Sequence, residues 1–239
     1  MCGFLFYLDK SNNIKNNTFK KLDKISNLLS HRGPDFKRST VYKNIFIHHS
    51  RLSIQDINKR SNQPFIKNHK GKKYSIIYNG EIYNFKKIRS RLKKKIKFNT
   101  TGDTEVLLNS FILNKDSFLR ELSGMYSFII LEHGNNPRIY FARDVYGQKP
   151  LYFFQDEKKI IFCSEIKPIL KIMNKYKITR RNCMDYLLNN EYFYQRNTFY
   201  EGVKQILPNE QGSIINNNIY FNERKNKQFH EIKKPSNNL

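Results

Sequence analysis

Tryptophan is absent from the 239 residues, and cysteine is scarce, occurring only as Cys2, Cys163 and Cys183. These thiols are odd in number, far apart and without a C-x-x-C pair, which indicates neither a disulfide framework nor a zinc site. Acidic residues are also short: 20 Asp and Glu face 44 Lys and Arg, a formal net charge of +24. No apolar run approaches the ~18–20 residues needed to span a bilayer. The apolar start, Phe4 to Leu8, lacks the basic segment and cleavage site of a signal peptide. Together these absences predict a soluble, cytoplasmic protein with no membrane partner. Neither a G-x-G-x-x-G nor a P-loop string occurs, so the common nucleotide cradles are excluded.

What is present can build a core. Hydrophobic residues make up 38% and aromatics 14%, the latter supplied by Tyr and Phe, which excludes a disordered chain. The basic excess is scattered and comes with many Asn and Ile. Lys, Asn and Ile share AT-rich codons, so genome composition is an adequate cause, and nucleic acid is disfavoured as a partner. The densest run, Arg89 to Lys97, sits at the end of a predicted helix, where cations also suit the helix dipole.

Periodicity outlines the elements. Residues 3–8 read as a buried strand, and Phe19, Leu22, Ile25 and Leu29 predict a helix over 18–30, stopped by Gly33-Pro34. Strands are expected at 41–48 and 74–78, the latter ending at Asn79-Gly80-Glu81. Ile82, Phe85, Ile88 and Leu92 mark a helix, and Asp103 or Thr104 suits the cap of the next. Four strands then follow at 125–131, 138–143, 150–154 and 160–163, with helices at about 164–173 and 181–188. A hairpin over 212–221 turns at Asn216-Asn217-Asn218. Clustered antiparallel strands with helices between them predict an α+β fold. The polar stretch 219–239 reads as a tail.

The chemistry starts at Cys2. If Met1 is removed, Cys2 carries a thiol and a free α-amine on one residue. An unperturbed α-amine titrates at roughly 7.7–8.0, close enough to neutrality to serve as the base for its own thiol. Asn79-Gly80 reads either as a hairpin turn or as an oxyanion hole, built from the Asn79 amide and the Gly80 N–H. Arg51 calls for a carboxylate partner, from the protein or from a substrate. Asp103 is either a helix cap or a partner for a substrate ammonium, and Glu81 is either its helper or a solvated residue. His31 reads as a structural loop residue.

The strings MCGF at the start, HRGPD at 31–35, RLSI at 51–54, NGEIYN at 79–84, GDTE at 102–105, RDVYGQKPLY at 143–152 and SEIKPIL at 164–170 occur in one order. In this the chain resembles the glutaminase domain of type B glutamine-hydrolysing asparagine synthetase, a class II glutamine amidotransferase. The resemblance implies a four-layer αββα sandwich of the N-terminal-nucleophile hydrolase type over residues 2–218. It implies that Cys2 attacks glutamine, with Asn79 and Gly80 as the oxyanion hole and Arg51 on the α-carboxylate. Asp103, with Glu81, takes the α-ammonium, and Leu52, Ser53, Ile54 and Gln55 supply the backbone of the binding loop. No metal or cofactor is expected in this chain; ATP and Mg belong to a synthetase domain or subunit, the expected partner, to which 219–239 is the tail or linker. A homodimer, another ammonia acceptor and an inactive module of the same fold stay open. Leu207-Pro208 is followed by Asn209-Glu210-Gln211 where the family commonly has Pro or Ala and then Gly.

Overall fold

The computed structural model describes all residues except 12, 116, 190–194 and 223–239. Its first strand, β1 (Gly3–Asp9), is buried on both faces. Phe4, Phe6 and Leu8 point to one side and Leu5 and Tyr7 to the other, and the two sets belong to different cores. A strand that is apolar on both faces must be covered on both, and this organises the chain into layers.

The strands after β1 are β2 (Phe36–Tyr42), β3 (Ile45–Arg51), β4 (Phe65–His69), β5 (Lys72–Ile82), β6 (Gly124–Glu132) and β7 (Arg138–Arg143). Then come β8 (Tyr152–Gln155), β9 (Lys159–Cys163), β10 (Lys204–Gln205), β11 (Gln211–Ile215) and β12 (Asn218–Asn222). They form two six-stranded antiparallel sheets, ordered β10-β8-β9-β1-β3-β2 and β12-β11-β7-β6-β5-β4. Helices α1 (Asn16–Ser26) and α5 (Ile166–Met173) lie outside the first sheet, where Leu22, Leu29 and Ile169 meet Leu5, Tyr7 and Phe46. Helices α2 (Phe85–Leu92) and α3 (Asp103–Leu113) lie outside the second, where Val106, Leu107 and Phe111 meet Tyr74, Ile76 and Tyr78. Between the sheets, Phe4, Phe6, Ile45, Ile77, Ile129, Phe141 and Phe162 form the central core. The result is the αββα sandwich. Two further helices, α4 (Phe118–Glu121) and α6 (Arg180–Asn189), complete the described α-helices. None of these helices is long and apolar enough to cross a membrane.

Several boundaries differ from the periodicity reading. The strand expected at 41–48 straddles a hairpin: β2 ends at Tyr42, Lys43 turns with φ 54°, and β3 begins at Ile45. The helix expected over 18–30 ends at Ser26 and tightens into a 3-10 turn over Asn27–Arg32. Ile82 belongs to β5, and α2 starts only at Phe85. The N-cap of α3 is Gly102, with Asp103 as its first residue. The strand placed at 150–154 begins at Tyr152. The 212–221 hairpin forms as β11 and β12, so the second sheet continues past residue 218. The rest of the tail, from residue 223, lies outside the described residues.

Candidate functional site

The side-chain parity of two strands decides what meets at the sandwich end. Cys2 shares the parity of Phe4 and Phe6, which fill the gap between the sheets. Asn79 shares the parity of Ile77, which fills the same gap from the other sheet. Cys2 and Asn79 therefore approach from opposite sheets and line one cavity.

Cys2 is fixed from several directions. Arg32 Nε donates to its carbonyl at 2.9 Å, and Arg32 Nη1 is held by Glu165 Oε1 at 3.1 Å. A Cβ on Gly3 would stand 3.0 Å from Arg32 Cδ, so the small residue after Cys2 lets this arginine lie close. The Leu52 N–H donates to Cys2 Sγ at 3.4 Å, and the thiol faces Leu52 O at 3.6 Å. Burial pushes the thiol pKa up, against the lowering effects of the Leu52 N–H, the terminal ammonium on Met1 and the Arg51 charge. Met1 is in place and lines the same cavity, so the Cys2 nitrogen is an amide here.

The Asn79-Gly80 pair is neither a hairpin turn nor the end of a strand. Both residues continue β5, opposite Ser127 and Tyr126 of β6. Tyr126 spends its backbone groups on the far side: Asp144 N–H donates to Tyr126 O at 2.8 Å, and Tyr126 N–H donates to Asp144 Oδ2 at 3.2 Å. Residues in an antiparallel ladder alternate in this way, so Gly80 turns its N–H away from β6 toward the β4 side. There β4 has already ended. On that edge the Tyr78 N–H donates to Gln63 Oε1 at 2.7 Å and the Ile82 N–H to Asp103 Oδ2 at 2.9 Å. The Gly80 N–H lies between these two, at the cavity. A Cβ on Gly80 would stand 2.2 Å from Met125 O and 2.7 Å from Tyr126 Cα, so glycine alone fits. Beside it, Asn79 Nδ2 is buried without a hydrogen-bond partner among the described residues.

The polar end of the cavity collects Arg51, Gln55, Glu81 and Asp103. Among the described residues the Arg51 guanidinium meets no carboxylate. It donates to Asn58 O at 3.2 Å, Asn62 Oδ1 at 2.6 Å, Gln55 O at 3.3 Å and Asp56 O at 2.5 Å, folding the 52–58 loop around itself. Asp103 Oδ2 accepts from Tyr78 Oη at 2.8 Å as well as from the Ile82 N–H. Burial raises the Asp103 pKa despite these donors. Glu81 Oε1 accepts from Gln55 Nε2 at 2.8 Å. Leu52 and Ile54 line the cavity, whereas Ser53 does not; its N–H is tied to Asp35 Oδ2 at 2.6 Å. His31 stands outside, with Nε2 2.8 Å from Glu165 Oε1.

Three further residues matter and drew no role from the sequence. Gln63 receives the Tyr78 N–H and returns Nε2 to Tyr78 O at 3.3 Å, standing in for the missing β4 partner. Tyr78 holds Asp103. Lys149 lines the cavity, and its pKa is lowered by burial and by the Arg32 charge, with Asp144, Cys2 and Glu81 acting in the opposite sense. Lys149 lies within the 143–152 string, which flagged the segment without indicating that its lysine turns inward.

Comparison with known proteins bears on what this cavity does. A model described as "Glutamine amidotransferase domain" matches residues 1–226. "Asparagine synthetase [glutamine-hydrolyzing] 3" of Bacillus subtilis (strain 168) is 34% identical over 71% of this chain and 27% of that protein. "Asparagine synthetase [glutamine-hydrolyzing] 1" of the same organism is 32% identical over 90% of this chain and 33% of that protein. The chain thus spans about a third or less of the length of these curated relatives. Among solved structures, a glutamine phosphoribosylpyrophosphate amidotransferase from B. subtilis superposes with a TM-score of 0.69 at 17% identity. That alignment covers 94% of this chain and 50% of the other, and it supports the fold.

Proposed function

This chain belongs to the glutamine amidotransferase family, and from that premise we propose that its cavity hydrolyses L-glutamine through Cys2 once Met1 is removed. The freed α-amine takes the thiol proton, and Sγ attacks the side-chain carboxamide carbon. The oxyanion that develops accepts hydrogen bonds from Asn79 Nδ2 and the Gly80 N–H. The C–N bond then breaks; the nitrogen leaves as ammonia with the proton returned from the α-amine, and Cys2 carries a γ-glutamyl thioester. Water attacks the thioester, glutamate departs, and Sγ regains its proton. Asp103 and Glu81 take the substrate's α-ammonium. Arg51 presents the loop backbone and adds positive charge for the α-carboxylate.

The observation that carries this reading is the buried, unpartnered Asn79 Nδ2 in the same cavity as Cys2. A buried donor without an acceptor is costly at rest and useful only when an acceptor arrives. The ammonia serves, in this proposal, an asparagine-forming site that needs ATP, Mg and aspartate on a synthetase domain or subunit, with the glutaminase acting in the cytoplasm. The test measures glutamate and ammonia from glutamine with Met1-free protein and with its Cys2→Ala variant. Turnover is expected in the first and none in the second. Hydrolysis that persists in Cys2→Ala, or in protein whose intact mass shows Met1 retained, would overturn the mechanism.

A further inference from the structure

A second polar atom at this site is buried and unpartnered among the described residues: Gln55 Oε1. Gln55 sits in the loop gathered by Arg51, and its side chain reaches across to β5, where Nε2 donates to Glu81 Oε1. A carboxylate oxygen accepts and does not donate, so Glu81 determines which end of the amide faces it. The carbonyl end is therefore the one left over. A buried carbonyl oxygen without a donor is unfavourable, and the group that relieves it must carry N–H or O–H.

The surroundings narrow that group. Gln55 lines the cavity beside Glu81 and Asp103, so any donor arriving there meets two carboxylates and an amide oxygen. A neutral hydroxyl leaves the carboxylates unbalanced. A primary ammonium has three N–H donors for three acceptors, and one positive charge. We propose that the Gln55 side chain is a specificity residue, reading the α-ammonium of the amino-acid substrate alongside Glu81 and Asp103. The inference rests on the glutamine reading above and goes beyond it, since the loop's expected contribution there is its backbone. The same amide also ties the Arg51 loop to β5, so the ammonium is read by both walls of the cavity together.

The test is calorimetric binding to the Cys2→Ala protein, with Gln55 intact and in Gln55→Met, which keeps the side chain's length without polar atoms. The ligands are L-glutamine and 4-carbamoylbutanoate, which is glutamine without its amine. Gln55→Met is expected to weaken L-glutamine about tenfold, the scale of one hydrogen bond to a charged group, and to weaken 4-carbamoylbutanoate clearly less, through the lost tie to Glu81 alone. In the Cys2 enzyme the same substitution raises KM and leaves kcat. Equal weakening of both ligands, or unchanged L-glutamine binding, would overturn the assignment. Should Gln55→Met fail to fold, the protein with Gln55 intact still decides, because equal affinity for the two ligands also overturns it. Failure of the Gln55 protein to bind L-glutamine at all refutes the glutaminase reading itself, and this inference with it.

Discussion

Truncating Asn79 to alanine separates catalysis from stability. In the resting protein Asn79 Nδ2 makes no hydrogen bond among the described residues, although the residue is only 1% exposed. Its removal therefore breaks nothing there, and it relieves the ~1–3 kcal/mol that an unsatisfied buried polar group costs. The truncation also leaves a small void, which works in the other direction by a comparable amount. The two effects oppose each other, so the net change is expected within ~1 kcal/mol. At this chain length that corresponds to a Tm shift of about 2–4 °C or less. Turnover is a different matter. An oxyanion donor contributes chiefly in the transition state, and its loss lowers kcat by roughly 10²–10³, or about 2.7–4 kcal/mol. Because the donor does not touch the amino-acid end, KM is expected to hold. The measurement pairs steady-state glutamate production with thermal unfolding of the same preparation. Wild-type turnover would remove Asn79 from the oxyanion hole. A Tm drop several times larger than the expected shift would show that its amide is structural instead.

Arg51→Ala is expected to raise KM for glutamine and to speed amide hydrogen exchange over residues 52–62, because the guanidinium gathers the carbonyls of Gln55, Asp56 and Asn58 and the Asn62 side chain. Raised KM with unchanged exchange would mean that Arg51 acts on substrate alone. Acid sensitivity should come from desolvated histidines: burial lowers the buried His49 to about 3, and the buried His48 and half-buried His133 to about 4. Between pH 6.5 and these values the unfolded chain binds protons that the folded chain does not, so stability is full above 6.5 and falls as pH drops. His49 alone removes about 2 kcal/mol at pH 5, since each pH unit below 6.5 is worth ~1.4 kcal/mol. Urea midpoints from pH 7 to 4.5 check this, and a flat profile, or one unchanged by His49→Gln, would refute it.

Many of the strands and helices were legible because they rest on local pattern, whereas the four-layer order came from the family resemblance. The unbroken apolar run of β1 and the helical spacing in α1 and α2 are properties of a few neighbouring residues. What escaped were features set by distant partners. The β2–β3 hairpin turns at Lys43-Asn44, a pair without glycine or proline, with Lys43 in the left-handed region. β4 is a five-residue edge strand in a polar stretch, and it is defined by its pairing with β5. Asn79-Gly80 carries the strongest local turn signal in the chain, yet it runs straight on as a strand. The reason lies at Met125 and Tyr126, whose backbone packs where any Cβ on Gly80 would stand.

The site shows the same division between residue type and geometry. Cys2, Asn79, Gly80, Glu81 and Asp103 drew attention as chemistry, but the sequence left all of these except Cys2 with two readings. Strand parity narrows them: Cys2 continues the inward row Phe4, Phe6, Leu8, and Asn79 continues the inward row of Ile77, so both rows end in one cavity. For Arg51 the expectation was a carboxylate of the protein or of a substrate; within the described residues it spends its donors on carbonyls and one amide, leaving its positive charge without a protein counter-ion among its hydrogen-bond partners. No periodicity shows this, because carbonyl acceptors are common to every residue and leave no mark in the sequence. Asp103 also suited the cap of α3, but Gly102 takes the cap position, and the Asp103 carboxylate turns back to the Ile82 N–H and Tyr78 Oη. These two hydrogen bonds help bind α3 to the edge of β5 on which the Gly80 N–H lies open. The ammonium end and the oxyanion end of the proposed site are thus held by a single strand edge, with Gln63 and Asp103 satisfying the donors on either side of Gly80.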